Sequence, residues 1–205
     1  MLSSLSLIDT ALSLAIISVF LIAIEFFTIR FNIPRVHTRK IVHTGSALLI
    51  VLVALLFDWR LFILLGPLFF VVLILARRFH PLESLRDRSD ESFGEILFPF
   101  GVTVAVLLCP TQITFIIAVL ILGISDTAAF YIGRAIKSPR LLHKKSVAGS
   151  LAFLVTAFVI ALLSANLPLA LGMAVATTLV ELASPKGTDN LFIPSVATLL
   201  FMLFS

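Results

Sequence analysis

Cysteine is all but missing. Cys109 is the only one in 205 residues, so no intrachain disulfide holds this chain together. Charge is scarce as well. Asp, Glu, Lys and Arg make up 13% of the residues while 60% are hydrophobic, against about a quarter charged in soluble proteins. A globular domain in water could not bury that much apolar surface, and a disordered chain would be poor in these same residues. The apolar runs are long and do not alternate, which argues against a β-barrel. There is no linker, low-complexity tract, clear repeat or soluble domain. What remains is a single membrane-embedded domain over residues 1–205, an all-α polytopic helix bundle.

A membrane-crossing helix needs roughly 20 mostly apolar residues. Such runs lie near 8–29, 41–57, 60–76, 94–109, 112–133, 147–165, 167–183 and 191–204. The first lacks a basic leader and a small-residue cleavage site, so it is expected to stay as a mature helix. The last is short and contains Pro194; read as re-entrant, it would leave seven spans instead of eight. Basic residues set the orientation. Arg30, Arg35, Arg39 and Lys40 follow the first run, and Arg77, Arg78, Arg86 and Arg88 follow the third. Arg134, Lys137, Arg140, Lys144 and Lys145 follow the fifth, and Lys186 follows the seventh. Only Arg60 falls on the other side. An excess of Lys and Arg marks cytoplasmic loops, so eight spans put both termini outside. The expected location is the plasma membrane.

Ionisable residues inside spans cost about 2.5–3.5 kcal/mol each at the centre, and usually have a function or a partner. Glu95, Asp126, Glu181 and Asp189 all fall at the cytoplasmic side in this topology. Asp126 is the deepest, seven residues before Gly133, or roughly 10 Å along a helix. Carboxylates bind hard cations together with substrate phosphates. Lys, Arg and backbone amides bind phosphate oxygens, and a carboxylate beside an alcohol accepts its proton. These are the parts of phosphoryl transfer.

Five segments carry that chemistry. In Arg39-Lys40-Ile41-Val42-His43-Thr44-Gly45-Ser46, His43 shares a helix face with Arg39 and neighbours Lys40; it reads as a phosphate contact or as a positive-inside anchor. Gly94-Glu95-Ile96-Leu97-Phe98-Pro99 offers a carboxylate at an irregular helix start, or a helix-cap acid. The charge run Arg86, Asp87, Arg88, Asp90 and Glu91 before it reads as solvated. Asp126, Ala129 and Gly133 recur at helical spacing, so a carboxylate and two small residues share a face open to a ligand or to another helix. Lys144-Lys145-Ser146-Val147-Ala148-Gly149-Ser150 places two lysines before an N-cap serine, an anion site or an anionic-lipid anchor. It is not a Walker A loop. Asp189 and Asn190 are hard oxygen ligands beside a Pro/Gly turn, where turn chemistry is the plainer reading. Glu181, near a helix C-terminus, opposes the dipole.

Taken together, these segments resemble the CTP-dependent lipid kinases: dolichol kinase, phytol kinase and their short prokaryotic relatives, often labelled diacylglycerol/polyprenol kinases. Arg39 to Gly45 resembles their R-K-x-x-H segment, and Gly94-Glu95 with Pro99 resembles G-E-x-x-x-P. Asp126, Ala129 and Gly133 match D-x-x-A-x-x-x-G. Lys145-Ser146 with Gly149-Ser150 is similar to K-[ST]-x-E-G-S, and Asp189-Asn190 with Pro194 matches D-N-x-x-x-P. The matches fall in the family's order over residues 39–194. The resemblance implies an enzyme that moves the γ-phosphate of CTP to an isoprenoid alcohol or diacylglycerol at the cytoplasmic leaflet, using a divalent cation, Mg²⁺. The implied nucleotide site runs from Gly133 and Arg134 through Lys144, Lys145, Ser146, Gly149 and Ser150, with Arg39, Lys40 and His43 as further phosphate contacts. Asp126, Asp189 and Asn190 would hold the cation. Asp126, Glu95 and Glu181 are the catalytic acids, with Glu95 or Glu181 as the base. Two departures touch the nucleotide site: Ala148 stands where the family has Glu, and no glycine follows shortly after Gly133-Arg134. The expected partners are CTP, a lipid alcohol and membrane lipids, with no nucleic acid. The CTP-using phosphatidate cytidylyltransferases share the logic of nucleotide, metal and lipid and are the alternative; a small carrier is a third.

Overall fold

The computed structural model describes residues 6–79 and 93–204. Arg86, Asp87, Arg88, Asp90 and Glu91 lie outside the described residues, as do the side chains of Arg35 and Lys144. Every expected span holds a helix, and the helix ends follow local chemistry. Helix α1 (Leu7–Phe31) starts where the Ser6 hydroxyl accepts from the Asp9 amide, and stops at Asn32 in the left-handed region, φ 49°. Pro34 starts α2 (Arg35–Leu56). A 3₁₀ turn at Trp59–Leu61 leads into α3 (Phe62–Phe79). Helix α4 (Gly94–Leu108) follows, then α5 (Gln112–Leu120), opened by a capping box between Thr111 and Thr114. The chain runs on through a π-helical turn, Ile121–Ser125, directly into α6 (Asp126–Ala135). Ser146 caps α7 (Val147–Ala161) and Asn166 caps α8 (Leu167–Ala183). Last comes α9 (Asp189–Phe204).

One expectation is corrected. Helix α4 runs through Pro99 without a break, so its start is not irregular. A proline deletes only the bond its own amide would have made to the carbonyl four residues back, and the rest of the ladder persists. Helix α9 likewise continues through Pro194 to Phe204.

Four described helices are long and apolar enough to cross a membrane: Leu7–Phe31, Val36–Leu56, Trp59–Arg78 and Gln112–Ala135. The other four run 15–17 residues. At 1.5 Å per residue they reach about 22–26 Å, somewhat short of the ~30 Å hydrocarbon core.

Two adjoining apolar cores hold the bundle. One, built on Val53, Leu61, Leu65, Val102 and Phe115, joins α2, α3, α4 and α5. The other, built on Phe153, Met173, Ile193 and Phe201, joins α7, α8 and α9 to the middle of the chain. Phe98 and Leu120 pack against both. The continuous Gln112–Ala135 rod is the most buried of the membrane-length helices and α1, which packs on α2, the least. Asp126 is therefore carried on the bundle's central rod.

Candidate active site

A cavity of about 660 Å³ is lined by residues from all five predicted segments. Part of its wall is apolar: Ile17 and Leu21 of α1, Leu49 and Ile50 of α2, Phe62, Phe69 and Leu73 of α3, and Phe98 and Val102 of α4. Part is charged: Arg39, Lys40, Arg134, Arg140 and Lys145, with Glu95, Asp126, Glu181 and Asp189. Five cations against four carboxylates leave little net charge, so a polyphosphate entering here would call for a further cation.

The charged groups fall into three clusters. In the first, Asp126 Oδ2 receives Lys40 Nζ and lies 3.3 Å from His43 Nε2. Lys40 and His43 sit three apart on α2, so one helix face delivers both. Lys40 and Arg134 also lie over the ring of Phe130, at 5.2 and 4.9 Å. In the second, Lys145 Nζ donates to Glu181 Oε1 at 2.5 Å and to Asp189 Oδ2 at 3.2 Å. Burial alone would pull the Lys145 ammonium down. Asp189, Glu181 and, less closely, Asp126 outweigh it and hold its pKa above the ordinary value. Lys145 thus feels all three carboxylates at once. In the third, Arg77 Nη1 donates to Glu95 Oε1 at 3.2 Å and stacks over Phe93.

Among the described residues, Glu181 Oε2 and Ser150 Oγ are buried without a hydrogen-bond partner, on residues that line the cavity. Glu181 is only 3% exposed, and a buried unpaired oxygen is costly. Among the described residues no group of three or more His, Cys, Asp or Glu is arranged to hold a metal. Glu181 and Asp189 meet through Lys145, which takes an oxygen of each.

Several expected residues play a different part. Asp126 pairs directly with Lys40 and lies beside His43. Asn190 is buried, and its Nδ2 donates to the Gly94 carbonyl at 2.8 Å, pinning α9 to α4. Asp189 starts a helix instead of standing in a loop. The α7 amides do not form an anion cradle. Val147 donates to the Pro139 carbonyl, Ala148 to Ser138 Oγ and Gly149 to Ser146 Oγ. Gly133 and Gly149 serve helix contact. A Cβ on Gly149 would meet the Ala129 carbonyl at 2.8 Å, and one on Gly133 would meet Ser146 Oγ at 2.7 Å. The small-residue face of α6 therefore faces α7.

Two titratable cavity residues were not singled out as site residues from sequence, Arg140 and His143, and neither had a signal. Nor was Arg77, the partner of Glu95, whose signal was its place in the last turn of α3. Arg140 and His143 sit on a hairpin-like turn in which Leu141 N donates to the Lys145 carbonyl at 2.7 Å, with His143 in the left-handed region, φ 50°. Comparison with known protein families, with curated proteins and with solved structures finds no match for this chain.

Proposed function

We propose that this chain is a multi-pass membrane enzyme that transfers the γ-phosphate of CTP to a lipid alcohol at the cytoplasmic leaflet. The observation that carries this reading is the cavity's mixed wall: apolar side chains from α1 to α4 share it with Lys40, Asp126, Lys145, Glu181 and Asp189. A lipid tail fits the apolar part by burial. A nucleotide polyphosphate fits the charged part by charge. In-line phosphoryl transfer asks mostly for positioning and charge neutralisation, which such an arrangement supplies. Lys145, Arg39, Arg134 and Lys40 hold the phosphates through side chains. Glu181 and Asp189, with Asn190 next to them, would hold a divalent cation such as Mg²⁺, which when bound neutralises phosphate charge. All eight helices cross the bilayer in this reading, the four shorter ones with local thinning of the lipid, and both termini face outside. The order of the motifs in the sequence, and its resemblance to CTP-dependent lipid kinases, support the choice of donor and acceptor.

The test is incubation of the purified protein with labelled CTP, Mg²⁺ and a mixture of phytol, geranylgeraniol, a longer polyprenol and diacylglycerol. A phosphorylated alcohol supports the reading. A CDP-lipid with released pyrophosphate would make the protein a cytidylyltransferase instead. Ion flux into proteoliposomes without nucleotide, and no lipid product, would make it a carrier.

A further inference from the structure

We propose that His43 takes the proton from the lipid hydroxyl and that Asp126 orients it; the proposal rests on the kinase reading above. The ring geometry points to it first. His43 Nε2 lies 3.3 Å from Asp126 Oδ2 and 3.3 Å from the Leu122 carbonyl. Both partners are acceptors, so the ring proton belongs on Nε2. The neutral imidazole then carries its lone pair on Nδ1, which has no hydrogen-bond partner among the described residues. A base held in one tautomer by a backbone carbonyl, beside a carboxylate and with its other nitrogen free, is the arrangement of a proton acceptor.

Position points the same way. His43, Ser46 and Ile50 recur along one face of α2 and all line the cavity. Along α2 the imidazole falls between the charged cavity residues Arg39 and Lys40 and the apolar ones Leu49 and Ile50, a place suited to the hydroxyl of a lipid whose tail lies on the apolar wall. Phe98, itself part of that wall, packs edge-on to the ring at 5.0 Å. The π-helical turn Ile121–Ser125 supplies the Leu122 carbonyl, and such turns recur at functional sites. The two carboxylates first read as bases are placed less well. Glu95 takes Arg77 on its Oε1. Glu181 is the one α8 residue on the cavity wall, and α8 adds no apolar side chain to it.

The step balances. The alcohol oxygen forms a bond to the γ-phosphorus of CTP, and its proton passes to His43 Nδ1. The bond from the γ-phosphorus to the β–γ bridging oxygen breaks, and that electron pair leaves with CDP. Asp126 stabilises the imidazolium that results.

The test uses the full chain, labelled CTP and whichever alcohol the wild type phosphorylates best. His43→Ala and His43→Gln should each lower kcat by about 10²–10⁴-fold with the KM for CTP unchanged. Added imidazole should restore turnover to His43→Ala. Membrane insertion and Tm are read for both variants; if the alanine variant does not fold, the glutamine variant, which keeps a donor towards Asp126, still decides. Near-wild-type turnover by His43→Gln would overturn the proposal. So would a loss that appears in the KM for CTP and that imidazole does not rescue, since His43 would then be a phosphate contact. A wild type that phosphorylates no alcohol defeats the kinase reading itself, and is distinguished from both by the control lane.

Discussion

Replacing Lys145 with methionine separates the charge cluster's part in stability from its part in binding. Lys145→Met removes the ammonium that Glu181 Oε1 meets at 2.5 Å and Asp189 Oδ2 at 3.2 Å. Removing one partner from a buried pair costs about 3–5 kcal/mol, because the other charge is left uncompensated. The Lys145 side chain is 21% exposed, so the low end, about 3 kcal/mol, applies. At about 2–4 °C per kcal/mol for a chain of this size, Tm in detergent should fall by about 6–12 °C. Adding Glu181→Gln removes one of the two stranded charges and should recover part of that loss, yet leave phosphate transfer abolished. The pH dependence follows from linkage. The folded pKa of Lys145 is raised above 10.5, so its stabilisation is complete below 10.5 and fades as pH rises through the folded value. The gap in Tm between wild type and Lys145→Met should therefore be level over about pH 6–9 and close only above about 10.5. A gap that closes within the level range, or a double variant less stable than Lys145→Met, would refute the reasoning.

Asp126→Asn should abolish phosphate transfer while the protein still inserts, read by product formation and membrane fractionation; full rate in that variant would remove Asp126 from the mechanism. Gly149→Ala drives a Cβ to 2.8 Å from the Ala129 carbonyl and should cost about 1–3 kcal/mol by overpacking. Gly172→Ala meets nothing within 4 Å and should hold or raise Tm, since alanine is favoured by up to about 1 kcal/mol in a helix.

Much of the fold was legible because helix formation is local. Apolar runs long enough to need a helix marked the segments, and Ser146 announced where one begins. The spacing of Lys40 and His43, or of Asp126, Ala129 and Gly133, is likewise a property of one helix. What meets across helices is not local. Nothing in the chain's order says that Lys145 reaches Glu181 and Asp189 while Asp126 takes Lys40 and His43, because both lysines are equally attractive to any of the three acids. That choice was made by packing: Gly133 against Gly149 brings α6 onto α7, Asn190 fastens α9 to the first turn of α4, and two apolar cores fix the angle between the halves. The first-turn amides of α7 show the same divide. By sequence they stand ready for an anion, but the chain from Ser138 to Ser146 folds back onto them and satisfies them from within. Composition and periodicity placed this chain among membrane helices; the free energy of side-chain packing decided which of its few charges became neighbours.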